Sequence, residues 1–180
     1  MLLAMNITIL EVVPVHVKII TTAIVCVLTC VLPMAIIYVM IKMGYVKDMD
    51  ISNRRERTRP LIFAMVCYIL ATIYIAWVHA PLWLTMYFVS GLAVAIVACL
   101  ISLKWKISVH GAGIGTAIGF LTQIATHGES SHSITWWIIG AIIIAGLLGT
   151  ARVILHRHTP AQVVAGTVLG AVATYFIMCI

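Results

Sequence analysis

Six apolar runs, each near the length that crosses the hydrocarbon of a bilayer, occupy residues 19–41, 60–79, 81–103, 108–126, 134–155 and 160–180. A helix rises 1.5 Å per residue, so about 20 such residues cover the roughly 30 Å apolar layer. Nothing else in the chain restricts its fold so strongly. In lipid every backbone N–H and C=O must find its partner inside the protein, and for runs of this length only the helix provides that. Composition agrees, because 63% hydrophobic and 9% charged residues leave too little charge to coat a soluble domain. The expected architecture is all-α: a polytopic membrane bundle of six transmembrane helices, forming a single domain over residues 1–180. The opening MLLAMNITILEVVPVHV has no basic start, carries Glu11 and offers no small-residue cleavage site. It reads as an interfacial lead-in over 1–17 rather than a signal peptide. Cys26, Cys30, Cys67, Cys99 and Cys179 all fall within apolar runs, where a thiol behaves as a small hydrophobe and implies neither a disulfide nor a zinc site.

If the connections alternate between membrane surfaces, ten of the eleven basic residues gather on one side: Lys42, Lys47, Arg54, Arg55, Arg57, Arg59, Lys104, Lys106, Arg152 and Arg157. Only Lys18 falls on the other. The positive-inside rule accounts for such a bias and would make the basic side cytoplasmic. It does not account for Arg59, Arg152 and His158 at the very edge of apolar runs, where desolvation is costly. Three runs also begin on this side, at Thr58-Arg59-Pro60, Ser108-Val109-His110-Gly111 and Thr159-Pro160-Ala161-Gln162. Each offers a hydroxyl N-cap, and two place proline in the first turn, where its missing N–H costs nothing. Three helix N-termini with arginine or histidine beside them favour an oxyanion such as phosphate. Small residues at four-residue spacing (Gly111, Gly115 and Gly119; Ala141, Ala145 and Gly149; Gly166 and Gly170) predict close helix contacts.

These motifs resemble the type 2 phosphatidic acid phosphatases, a family related in fold to vanadium haloperoxidases. The family's third motif is Ser-Arg, five residues, His, three residues, Asp; here Arg152 and His158 keep that spacing and Gln162 takes the acidic position. Its second, Pro-Ser-Gly-His, is matched by Ser108 and His110. Its first, Lys, six residues, Arg-Pro, is matched by Arg59-Pro60 with Ser52 at the lysine position. The resemblance runs from about residue 52 to the end. It implies a lipid phosphatase without cofactor or metal, acting on a lipid phosphomonoester or pyrophosphate in the bilayer. His158 would be the nucleophile, His110 the general acid, and Arg59, Ser108 and Arg152 the phosphate clamp. Arg55, four residues before Arg59, would stand in for the lysine. The resemblance also implies a bacterial cytoplasmic membrane with the site on the outer surface, against the positive-inside count. The chemistry stands on its own terms: phosphoryl transfer needs three equatorial oxygens neutralised, which guanidinium forks provide, and a neutral imidazole is a competent nucleophile near pH 7.

Gln162 can accept an imidazole N–H but cannot balance a positive imidazole. Thr159-Pro160-Ala161-Gln162 also has the form of a capping box, which gives Gln162 a structural role. Asp48, Asp50 and Glu56 are the acidic residues on the basic side. A second reading is therefore a catalytically impaired relative that binds lipid phosphate headgroups. A channel or transporter fits less well, because the runs hold almost no mid-membrane ionisable residue and show no inverted repeat. A nucleic-acid partner is not expected: the charge of +6 is distributed by membrane side, not as a soluble basic face.

Overall fold

The computed structural model describes residues 13–47, 51, 56, 58–127 and 134–179. These residues form helices and no strand. Helix α1 runs Val15–Lys42, α2 Thr58–Trp77, α3 Leu82–Lys104, α4 Val109–His127, α5 Thr135–Ile154 and α6 Pro160–Ile177. α1 begins directly after Pro14, whose extended ψ of 137° serves as the N-cap. The helix thus begins four residues before the expected 19–41 run and takes in the end of the expected 1–17 lead-in. Within α1, residues Val27–Val31 form a π-helical turn. Pro33 has no N–H to give the Thr29 carbonyl, and a wide turn just before a proline is where a helix absorbs that missing bond.

Five of these helices, α1, α2, α3, α5 and α6, are long and apolar enough to cross a membrane. The chain is a helical membrane protein on that ground. α4 lies where the sequence predicts a span, yet it does not reach the same hydropathy. The cause is visible in its residues: Gly111, Gly115, Gly119, Thr116 and Gln123 are all buried. They face other helices rather than lipid, so they need not be apolar.

The seam between α4 and α6 is the tightest in the molecule. Gly111 lies against Val163, Gly115 against Thr167 and Ala171, and Gly119 against Ala171. From the other side, Gly166 lies against Ser108 and Gly170 against Ala112. Residue numbers rise together along the seam, so the two helices run parallel. A Cβ at Gly111 would stand only 2.9 Å from the Val163 carbonyl oxygen. Without a hydrophobic drive in lipid, such backbone-to-backbone approach is what holds helices together. The two glycine stripes predicted as contacts are therefore partners of one another.

The remaining helices fix which end is which. The Ser90 hydroxyl of α3 donates to the Thr174 hydroxyl of α6 at 3.1 Å. Val25, Ala71, Ile75, Leu84 and Phe88 join α1, α2 and α3 in one core cluster. Phe120, Ile124, Ile134 and Met178 form another near the carboxyl ends of α4 and α6, packed on by Trp83 and Tyr87. There the buried Gln123 amide donates to the Met178 carbonyl at 3.1 Å, satisfying one of the orphan acceptors at the end of α6. At the opposite end α4 and α6 both begin, and α3 and α5 both finish. Lys18, expected on the surface away from the other basic residues, is only 4% exposed in the first turns of α1.

Candidate functional site

At the end where α4 and α6 begin, two caps set the geometry. The Ser108 hydroxyl accepts from the Gly111 N–H at 3.1 Å, so Ser108 caps α4 and is fully buried doing so. Thr159 caps α6 through a complete capping box. The Gln162 N–H donates to the Thr159 hydroxyl at 3.4 Å, and the Thr159 N–H donates to Gln162 Oε1 at 3.1 Å. A backbone bond then ties the two starts together: the Ser108 N–H donates to the Gln162 carbonyl at 3.2 Å. The parallel seam thus brings the start of α4, with Ser108 and His110, against the start of α6, where Gln162 follows His158 by four residues.

The arginine arrives from the carboxyl end of α5. Its chain reversal depends on His156, which adopts the left-handed conformation with φ of 53°. The Arg157 and His158 N–H groups then both donate to the Arg152 carbonyl, at 3.0 and 3.3 Å. This folds His158 back over the end of the helix that carries Arg152. The sequence gives His156 no role; its contribution is to the backbone, a place where glycine is the usual residue. Arg152 Nη2 lies 2.7 Å from both Nδ1 and Nε2 of His110. A guanidinium only donates, so in this contact the His110 ring is the acceptor, and which of its nitrogens accepts follows from its tautomer. Arg152 and His158 are half-buried and His110 is exposed.

The second imidazole has its orientation set by the cap. His158 Nδ1 lies 3.2 Å from Gln162 Oε1. The atom facing Nδ1 has to be the amide oxygen, because the same atom accepts the Thr159 N–H; a flipped amide would set two donors against each other. An acceptor opposite Nδ1 requires Nδ1 to carry a proton, which in the neutral ring puts the lone pair on Nε2. Gln162 therefore performs both roles that its sequence context suggested, cap and imidazole partner, with one oxygen.

The other predicted residues lie elsewhere or outside the described residues. Arg59 lies in the first turn of α2, and its guanidinium sits over the Tyr45 ring, 5.2 Å from the centroid. It lines an apolar groove between α1 and α2 with Met40, Met43 and Phe63. It shares the membrane end of the Arg152 cluster, while its contact is with Tyr45. No signal in the spacing points to Tyr45 as that partner. Arg55 and Ser52, with Asp48 and Asp50, fall outside the described residues. Glu56 accepts from the Lys47 N–H at 2.9 Å and closes the α1–α2 connection. Among the described residues, no three His, Cys, Asp or Glu side chains gather into a group able to hold a metal ion.

Comparison with protein-family models, with curated proteins and with solved structures finds no match for this chain.

Proposed function

We propose that this chain is a six-span lipid phosphatase of the type 2 phosphatidic acid phosphatase class, hydrolysing a lipid phosphomonoester or pyrophosphate. The observation that carries the reading is the meeting of Arg152, His110, His158 and Gln162 at the common start of α4 and α6. In the reaction, the Arg152 guanidinium turns from His110 to the phosphate oxygens. His158 Nε2 attacks phosphorus as the bond to the lipid oxygen breaks. His110, in its protonated form, gives its proton to the departing alkoxide. Water then attacks the phospho-histidine and releases inorganic phosphate, with His110 taking the water's proton. Throughout, Gln162 holds the Nδ1 proton. The Ser108 hydroxyl oxygen accepts the Gly111 N–H in the cap, which does not use its O–H, so capping is compatible with its place in the phosphate clamp. Arg59 and Arg55 complete the clamp in this reading, with Arg59 leaving the Tyr45 ring.

A second reading is favoured by one observation: the partner of His158 is a neutral amide. In a serine-protease triad the comparable acid-to-amide change costs roughly 10⁴ in rate. On this reading the chain binds lipid phosphate headgroups and turns them over little or not at all.

Phosphate release from phosphatidic acid, phosphatidylglycerophosphate, a polyprenyl pyrophosphate and a lipid A phosphate decides between them. The phosphatase reading expects release in chelating buffer that disappears in His158→Ala. No release, with headgroup binding that weakens in Arg152→Ala, establishes the binding reading. We place the site on the outer surface of a bacterial cytoplasmic membrane. A reporter fused after Ile180 tests that placement, because six crossings put this end opposite the site; a cytoplasmic signal supports it and an external one overturns it.

A further inference from the structure

α5 and α6 are neighbours in sequence and both lean on α4, yet they part from one another. They touch at Gly149, where a Cβ would stand 2.9 Å from Val163 Cγ1. One turn away, a Cβ at Gly146 would meet nothing within 4 Å. The result is a groove of about 500 Å³ open to the lipid. Its floor on α5 is small, with Ala145, Gly146 and Gly149, while Ile142, Ile143 and Leu147 beside it project outward and are more than half exposed. The one polar side chain contributed by α6, Thr167, spends its hydroxyl on the Val163 carbonyl at 3.1 Å. With Thr150 the polar side chain on the α5 wall, the rest of the lining is apolar.

The position of the groove gives it meaning. Its upper end is formed by Val153, Ile154 and Pro160, the residues that flank the 155–159 loop carrying His158. Arg152 adjoins Val153, and Arg157 lies in the same loop. From Ile154 to Ala145 the groove descends about 13 Å, enough for an extended alkyl segment on the order of ten methylene groups. A cationic head at the membrane edge continuous with an apolar channel below is complementary to a single-chain segment bearing an anionic headgroup.

We propose that this groove is an acyl-chain subsite: it takes an alkyl chain of the same lipid whose phosphate meets Arg152 and His158. The inference rests on the phosphate-site reading above and adds to it that the chain is held by α5 and α6. Bulk lipid would cover any outer face, so the claim is that occupancy of this groove depends on the headgroup.

The test uses the full-length protein in phosphatidylcholine nanodiscs. The probe is phosphatidic acid with a photoreactive diazirine midway along one palmitoyl chain, with phosphatidylcholine of the same chain as control. Adducts are mapped by mass spectrometry. Phosphatidic acid should label Thr150, Val153, Val164 and Val168 about tenfold more than the control, because headgroup capture concentrates the chain there. Arg152→Ala should reduce that labelling to the control level. Gly146→Leu fills the open part of the groove at a position where a side chain meets no neighbour, and should remove the labelling while leaving release from a short-chain soluble phosphate ester unchanged. Equal labelling by both lipids, or labelling that persists in Gly146→Leu, overturns the subsite. Loss of labelling together with a dimer-to-monomer change assigns the groove to a second copy and also overturns it. Headgroup-dependent labelling without phosphate release keeps the subsite and removes the phosphatase reading.

Discussion

Replacing Gly115 by alanine adds one methyl group to the α4–α6 seam, where there is no room for it. A Cβ there would lie 2.9 Å from the Thr167 carbonyl carbon and 3.0 Å from the Ala171 nitrogen, with the Thr167 carbonyl oxygen nearer still. All three are backbone atoms of α6, so no side chain can swing aside. The helices must part by roughly 1 Å, and overpacking of this kind costs about 1–3 kcal/mol. The displacement also reaches the site. The Ser108 N–H to Gln162 carbonyl bond is already 3.2 Å long. A further ångström takes it past the range in which a hydrogen bond holds. Gly113 supplies the control on the same helix, since a Cβ there meets nothing within 4 Å. Gly113→Ala should gain about 0.5–1 kcal/mol from helix propensity alone. Thermal unfolding in detergent, followed by circular dichroism, should therefore move in opposite directions for the two variants, down by several degrees for Gly115→Ala and slightly up for Gly113→Ala. Equal midpoints, or a larger loss for Gly113→Ala, would refute the parallel glycine seam and with it the reason that His110 and His158 share one end.

Gln162→Glu keeps the capping-box form and places a carboxylate against His158 Nδ1, so phosphate release should rise tenfold or more, toward the roughly 10⁴ that an acid-to-amide exchange costs elsewhere. A steady-state rate no higher than that of the parent protein would remove Gln162 from the chemistry. His156→Gly relieves a left-handed non-glycine residue and should raise stability by about 1 kcal/mol, read as a higher unfolding midpoint. Gln123→Leu leaves the Met178 carbonyl without its buried amide donor and should lower stability by about 1–3 kcal/mol. That loss should come with no change in headgroup binding, because Gln123 lies at the far end of α4.

The helices were legible as long apolar runs, with Ser108 and Thr159 readable as the caps that open α4 and α6; the start of α1 at Pro14 was not, because the apolar run begins only at residue 19. The α4–α6 seam was legible as spacing: Gly111, Gly115 and Gly119 fall on one stripe at four-residue intervals. That the stripe meets Gly166 and Gly170 in parallel could not be read, since spacing on one helix does not name its partner. α4 shows the opposite case. Gly111, Gly115, Gly119, Thr116 and Gln123 weaken the hydropathy that marks a span, and the structure shows these residues buried against neighbouring helices. In the site, Thr159 and Gln162 were readable as a cap and Arg152 with His158 as a spaced pair. The left-handed turn at His156, which folds His158 back toward the Arg152 carbonyl, carried no signal, because histidine is not the residue that such a turn normally uses. The stacking of Arg59 on Tyr45 was equally silent, being a contact across a loop between side chains of common types.

Chemical trapping of the intermediate tests the central claim most directly. The protein would be mixed with phosphatidic acid labelled at phosphorus, quenched in alkali within the first turnovers, digested and mapped for phosphate on histidine. The account predicts an alkali-stable, acid-labile phosphate on His158, absent in His158→Ala and accumulating in His110→Ala supplied with a lipid pyrophosphate, whose better leaving group needs no acid. Turnover with the label on any other residue, or turnover undiminished in His158→Ala, would contradict it.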